Sequence, residues 1–219
     1  MSGLFITFEG VEGSGKSTQI ELLRQHLAER ALSVLITREP GGTPTAEAIR
    51  EVLLDPRNKA LAPMAELLLY AAARAQHVEE RIRPALDAGQ MVLCDRFADS
   101  TTAYQGIARG LSLELLGEIH RLATSNLRPH LTFLLDMDPE LGLQRTRERG
   151  RIDRMEQESI AFHRRVREGF LAIADNEPER VVVLDADQEL EVIARDIRRH
   201  FDAYLERRAR EQALAADTP

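Results

Sequence analysis

Short apolar runs alternate along this chain with longer segments in which apolar residues recur every three or four positions. The short runs are Leu4–Phe8, Ser33–Thr37, Met91–Asp95, Leu131–Asp136 and Val181–Asp185. Most are continuously apolar rather than alternating, as in strands covered on both faces. The segments between them read as helices: Lys16–Arg30, with Ile20, Leu23 and Leu27 on one stripe, then Thr43–Leu54, Pro63–Ala88, Leu113–Ser125, Pro139–Arg149, Glu156–Asp175 and Glu189–Arg208. Strands separated by helices predict an α/β fold with a mainly parallel sheet and right-handed crossovers.

Helix punctuation fits these boundaries. Pro63 and Pro139 suit first helical turns, Asp138 can cap the helix after it, and Gly89 can stop the long middle helix. Arg30-Ala31-Leu32 has no glycine, so the end of the first helix is not marked. No repeat or linker divides the chain, and residues 1–210 read as one domain. The residues from about 211 to 219 are small and polar and are expected to fray.

Composition narrows the class. The chain has 219 residues, 43% of them hydrophobic, enough for a sizeable core. A formal net charge of -7 argues against a nucleic-acid binder. The one cysteine, Cys94, excludes a disulfide within the chain and sits in an apolar run, so it reads as a buried thiol. Neither a signal peptide nor a membrane span is visible, which makes a cytoplasmic location the default.

The first chemical signal is Gly10-Val11-Glu12-Gly13-Ser14-Gly15-Lys16-Ser17, which fits G-x-x-x-x-G-K-[ST] between a strand and a helix. A chain wrapping a polyphosphate must turn tightly and aim several N–H groups inward, which glycines allow. The helix that follows offers its positive end. Lys16 should reach the β- and γ-phosphates of ATP, and Ser17 should bind Mg²⁺. Thr18 completes the nucleotide-binding set.

A GTPase would want an Asn-Lys-x-Asp guanine reader after a later strand. The only Asn-Lys pair, Asn58-Lys59, is followed by Ala60-Leu61 and precedes the third strand. A small-molecule kinase needs a mobile basic cover and an acceptor pocket. Residues 145–154 hold five arginines in ten positions, Arg145, Arg147, Arg149, Arg151 and Arg154, around Gly150. Their planar forks can hold phosphate oxygens, so a lid over about residues 143–156 is expected. At the carboxyl end of the third strand, where parallel sheets bind ligands, Asp95 could hold Mg²⁺ directly or through water, and Arg96 could clamp an acceptor phosphate.

These segments resemble the thymidylate kinase family. Asp95-Arg96-Phe97-Ala98-Asp99-Ser100-Thr101-Thr102-Ala103-Tyr104-Gln105 looks like its signature, Arg38-Glu39-Pro40-Gly41-Gly42-Thr43 like its segment after strand two, and Asp153-Arg154-Met155-Glu156 like its lid exit. The order and spacing agree from Leu4 to about Leu205. The resemblance implies a three-layer P-loop NTPase fold with a five-stranded parallel sheet. It also implies a homodimer, and transfer of the ATP γ-phosphoryl to thymidine monophosphate (dTMP) in dTTP biosynthesis. The alternative is a related kinase acting on another nucleotide or nucleoside.

By the same resemblance, Arg74 would hydrogen-bond the thymine edge, Tyr70 would stack on the base, and Thr101 would face its N3 side. Tyr104 would lie beside the sugar and disfavour a 2′-hydroxyl, Glu12 would reach the 3′-hydroxyl, and Arg96 would hold the acceptor phosphate. Arg38, Pro40 and Gln105 complete the substrate set, and the Glu39–Pro40 peptide is expected to be cis. Glu12-Gly13 inside the loop with an Arg-rich lid looks like the bacterial type, in which lid arginines are catalytic. Arg154 sits in the matching motif, with Arg149 and Arg151 as further candidates. The acceptor phosphate is mostly dianionic at neutral pH, since its second pKa is about 6, so no general base is expected. Of the histidines, His77 reads as structural or as supporting the base-reading residues from behind.

Overall fold

The five strands all end on a charged residue at the same edge of the sheet. In the computed structural model, which describes residues 3–148, 150 and 152–216, they are β1 (Leu4–Glu9), β2 (Val34–Arg38), β3 (Met91–Asp95), β4 (Leu131–Asp136) and β5 (Val181–Asp185). They pair in parallel throughout, in the order β2-β3-β1-β4-β5. The helices are α1 (Lys16–Glu29), α2 (Pro44–Leu54), α3 (Pro63–His77), α4 (Arg83–Asp87), α5 (Ala98–Thr101), α6 (Leu113–Thr124), α7 (Pro139–Arg147), α8 (Ile160–Asn176) and α9 (Leu190–Ala216).

Every residue of central β1 is buried, as its unbroken apolar run requires. Side chains alternate across the sheet and so build two cores. Phe5, Val92 and Cys94 pack on Val78, Ile82 and Ala85. Ile6, Phe8 and Leu93 pack on the other face with Ile20, Leu23 and Leu27 of α1. Helices therefore cover both faces in three layers. Cys94 is buried as expected, and burial first, then the nearby Glu39 carboxylate, raises its pKa well above the ordinary thiol value.

The expected strands and helices form, with differences that have local causes. The long middle helix is interrupted by a wide π-turn at Val78–Ile82, just before Pro84. Proline has no N–H and its ring crowds the carbonyl four residues back, and the wider turn accommodates both. Residues 98–108, read only as a motif, form α5 and a second π-turn at Thr102–Ala108. The α8 helix begins at Ile160 rather than Glu156, because Ser159 caps it by accepting from Phe162 N at 3.2 Å. Ahead of it, Asp153 and Glu156 close a tight turn, each side chain accepting from the other's backbone N–H at 2.9 Å. The last helix passes Arg208 and continues to Ala216, into the stretch expected to fray.

The unmarked end of α1 is closed without a glycine. Ala31 takes a left-handed conformation, φ 56°. Its N–H bonds Ala28 O at 3.0 Å while Leu32 N bonds Leu27 O at 3.2 Å. That is a Schellman cap with alanine where glycine is usual. The Cβ there costs about 1 kcal/mol. Ala31→Gly should therefore stabilise the protein by roughly 0.5–1 kcal/mol in urea unfolding. A lower midpoint would show that unfolded-state entropy outweighs the relieved strain.

Candidate active site

The carboxyl edge of the sheet supplies the framework. The loop after β1 turns through Gly10, Gly13 and Gly15, all at positive φ. A Cβ on Gly10 would overlap the Leu135 carbonyl, and one on Gly13 the Gly142 carbonyl of α7. The tight turn is thus also clamped between β4 and α7. Lys16 Nζ lies inside it, donating to Gly10 O at 3.1 Å, Val11 O at 2.9 Å and Ser14 Oγ at 3.3 Å. Burial, and then the neighbouring Arg96 charge, lower its pKa to about 8. Anionic oxygens brought to this loop would restore a full charge on it.

Ser17 Oγ donates to Asp95 Oδ2 at 2.8 Å. Two hard oxygens thus stand together beside the phosphate loop. Among the described residues, no group of three or more His, Cys, Asp or Glu side chains could hold an ion by itself. A hydroxyl and one carboxylate fit a small hard cation that takes its other ligands from phosphate and water.

Arg96 bridges the two halves of the site. Its Nη1 donates to Gly10 O at 2.9 Å and to Ser100 Oγ at 3.1 Å, and its Nη2 to Glu12 Oε1 at 3.3 Å. The guanidinium also lies 5.3 Å from the Tyr104 ring centre. Burial works against its charge, and the acidic groups facing it more than offset that. Beneath it, Glu9 accepts from Phe97 N at 2.7 Å and from Ser100 Oγ at 2.5 Å. Burial first, and then Asp99, raise the Glu9 carboxyl to about 8. Glu12 goes the other way. Burial opposes its charge, yet His163, Arg96 and the Tyr104 hydroxyl hold it well below the usual carboxylate range.

A cleft of about 410 Å³ opens between these groups, of a size suited to a small ligand. It brings together most of the expected residues. Glu12, Gly13, Ser14, Gly15, Lys16, Ser17, Thr18, Asp95 and Arg96 line it on the loop side. Arg38, Pro40, Tyr70, Arg74, Thr101, Tyr104 and Gln105 line the rest. Gly10 and Val11 do not line it and contribute carbonyls to Lys16 and Arg96 instead. The Glu39–Pro40 peptide is cis, as expected.

Arg74 is buried and held on several sides. Its Nε donates to Glu39 Oε2 at 2.7 Å, and its Nη2 to Phe97 O at 3.0 Å and Thr101 Oγ1 at 2.9 Å. Its Nη1 lies 3.4 Å from His120 Nδ1. His77 stands behind this group, between Glu39 Oε1 at 3.0 Å and Thr37 Oγ1 at 2.6 Å. It does not line the cleft, which matches the supporting role expected of it.

Arg154 is the main departure. It does not line the cleft and is only 6% exposed. Its Nε donates to Leu53 O at 2.6 Å, its backbone N–H to Leu54 O at 3.0 Å, and its Nη2 lies 2.6 Å from Glu66 Oε2. It pins the turn ahead of α8 to α2 and α3, so the expected direct contact with the transferring phosphoryl does not match its position. Arg149 and Arg151 lie outside the described residues. The lid side of the cleft is formed by Thr146, Asp153, Met155 and Glu156.

Two contributors had no sequence signal. Arg50 lines the cleft and donates to Pro40 O at 2.8 Å. Nothing in the pattern of α2 separates it from a solvent-facing arginine. Glu9 precedes the loop motif by one position, in a strand whose other residues read as core. Its chemistry appears only when the Phe97 N–H is seen to need an acceptor.

Comparisons with known proteins point to one family. The family model described as thymidylate kinase matches residues 8–197. A thymidylate kinase of Symbiobacterium thermophilum is 53% identical over 207 residues, covering 94% of this chain and 96% of that protein. One from Geotalea daltonii is 57% identical over 190 residues, covering 84% and 89%. The crystal structure of thymidylate kinase from Ehrlichia chaffeensis superposes with a TM-score of 0.76 at 33% identity, covering 92% of this chain and all of that one.

Two outcomes follow from the buried charges. Arg154→Ala leaves Glu66 short of a buried partner, although Arg109 and Gln105 still bond it. It should cost on the order of 3 kcal/mol in denaturant unfolding. Unchanged stability with lost activity would return Arg154 to direct catalysis. Glu9, with a folded pKa raised from an ordinary 4.5 to about 8, favours the folded state below about pH 4.5 and loses that contribution as pH rises through 8. Glu9→Gln should therefore flatten the fall in stability between pH 5 and 8. Parallel curves for the two proteins would mean that Glu9 is ionised throughout.

Proposed function

This chain belongs to the thymidylate kinase family and phosphorylates dTMP with ATP, and we propose that it does so in the cleft between the Gly10–Ser17 loop and Arg96. The observation that carries the reading is the 2.9 Å bond from Arg96 to the Gly10 carbonyl. It ties the cation suited to the acceptor phosphate to the loop suited to the donor phosphates. The two anions can then meet head to head in one pocket.

An acceptor phosphate oxygen forms the new bond to the γ-phosphorus as the bond to the β-bridging oxygen breaks, leaving ADP. Lys16 holds the donor phosphates with the loop N–H groups, and Arg96 orients the acceptor phosphate. Each cation aimed at developing charge lowers the barrier by on the order of 3 kcal/mol. Because the acceptor is already mostly dianionic, the cleft needs no proton acceptor for this step. Bound Mg²⁺ would supply further charge neutralisation across the phosphates. Ser17 and Asp95 are the residues that would hold it. Of the lid arginines expected to be catalytic, Arg149 and Arg151 are then the ones to cover the phosphoryl group, given the commitments of Arg154.

Arg74 and Thr101 would read the thymine edge, Tyr70 would stack on the base, and Glu12 would take the sugar 3′-hydroxyl. Tyr104 fills the space where a 2′-hydroxyl would sit, with Arg38, Pro40 and Gln105 completing the walls. A homodimer is supported by exposed apolar side chains on neighbouring helices, Met64 and Leu68 of α3 and Leu113 and Leu122 of α6. Among the described residues no helix is long and apolar enough to cross a membrane, in keeping with work on cytoplasmic nucleotide pools.

An ADP-release assay across nucleoside monophosphates and nucleosides tests the reading. dTMP should be turned over far faster than thymidine or the ribonucleotides, and chelation of Mg²⁺ should abolish release. Faster turnover of a nucleoside would transfer the reading to a hydroxyl-phosphorylating kinase.

A further inference from the structure

We infer that His163 is a positioning residue for Glu12, holding the far oxygen of its carboxylate so that the near oxygen faces the sugar of the acceptor nucleotide. The inference rests on the reading that Glu12 takes the 3′-hydroxyl.

The Glu12 carboxylate has two unlike ends. Oε1 accepts from the Tyr104 hydroxyl at 2.5 Å and from Arg96 Nη2 at 3.3 Å. Both donors line the cleft. Oε2 is buried and turned away from them. Among the described residues it has no hydrogen-bond partner, and His163 Nδ1 approaches it to 3.3 Å.

His163 lies on α8, is wholly buried and does not line the cleft. Its ring stands edge-on to Phe162, with centroids 5.6 Å apart. Among the described residues no hydrogen-bond partner serves either ring nitrogen. His77 differs, since both its nitrogens are bonded. A buried imidazole with a single polar neighbour is costly unless that neighbour needs it. Here the neighbour is the remaining end of the only acidic side chain inside the phosphate loop. A proton donated from Nδ1 to Oε2 across this 3.3 Å approach holds the carboxylate from behind against rotation, so that Oε1 stays where Tyr104 and Arg96 fix it.

The test compares kcat/KM for dTMP and for 3′-deoxy-dTMP, which lacks the hydroxyl in question. Glu12→Gln should collapse the ratio between them. His163→Phe should lower it on the order of tenfold through a raised KM for dTMP, with the 3′-deoxy substrate little affected. His163→Gln, which returns a donor of similar reach, should recover most of the ratio. Should His163→Phe fail to fold, His163→Asn carries the same comparison, because its shorter amide cannot reach Oε2. A His163 variant that keeps the wild-type ratio, or weakens both substrates equally, while Glu12→Gln collapses it, overturns the positioning role alone. An unchanged ratio in Glu12→Gln overturns the 3′-hydroxyl reading and this inference with it.

Discussion

A half-buried guanidinium at the carboxyl edge of the sheet is the constraint from which the rest of the site follows. Arg96 sits at φ 67°, a conformation that costs a non-glycine residue on the order of 1–2 kcal/mol. Its backbone N–H bonds Phe8 O at 3.0 Å, so the ends of β1 and β3 meet at this residue. The side chain then reaches the phosphate loop, the Ser100 hydroxyl and Glu12. A protein that must bring two phosphates together needs a cation that cannot retreat, and these contacts remove its freedom to do so.

The two carboxyls flanking Gly10 show how that charge is kept available. Were Glu9 and Glu12 both ionised and unopposed, they would neutralise Arg96 and Lys16 before any nucleotide did. Instead, burial favours a proton on Glu9, and its oxygens serve Phe97 N–H and Ser100. Glu12 stays ionised, but its charge is shared among Tyr104, Arg96 and His163. On either side of the same glycine, three positions apart in the chain, identical side chains act as a neutral brace and as an anionic contact. Environment alone separates them.

The layout of the fold was legible because unbroken apolar runs such as Leu4–Phe8 admit few interpretations once helical stripes separate them. The phosphate loop and Asp95-Arg96 were legible for a related reason: they are marked by short-range spacing and by where strands end. Arg154 was not. Its partner Glu66 and its acceptor on Leu53 lie far away in sequence, and an arginine in a basic segment looks the same whether it caps a lid or staples one. Arg50, Glu9 and His163 escaped for a similar reason, since each acts through a partner that only packing supplies. Ala31 shows the converse, a helix end without its usual marker because the hydrogen bonds of the cap form regardless.

The cleft, in which the basic side chains of Lys16 and the arginines stand among carboxylates, sits in a molecule with a formal net charge of -7. At long range the surface therefore repels the anions that the cleft is built to hold. The attraction of Lys16, Arg38, Arg50 and Arg96 dominates only within about a Debye length of the opening, roughly 8 Å at physiological ionic strength. Nucleotide capture is thus governed by local field rather than by steering across the whole surface, and polyanions too bulky to enter are turned away by the same distribution.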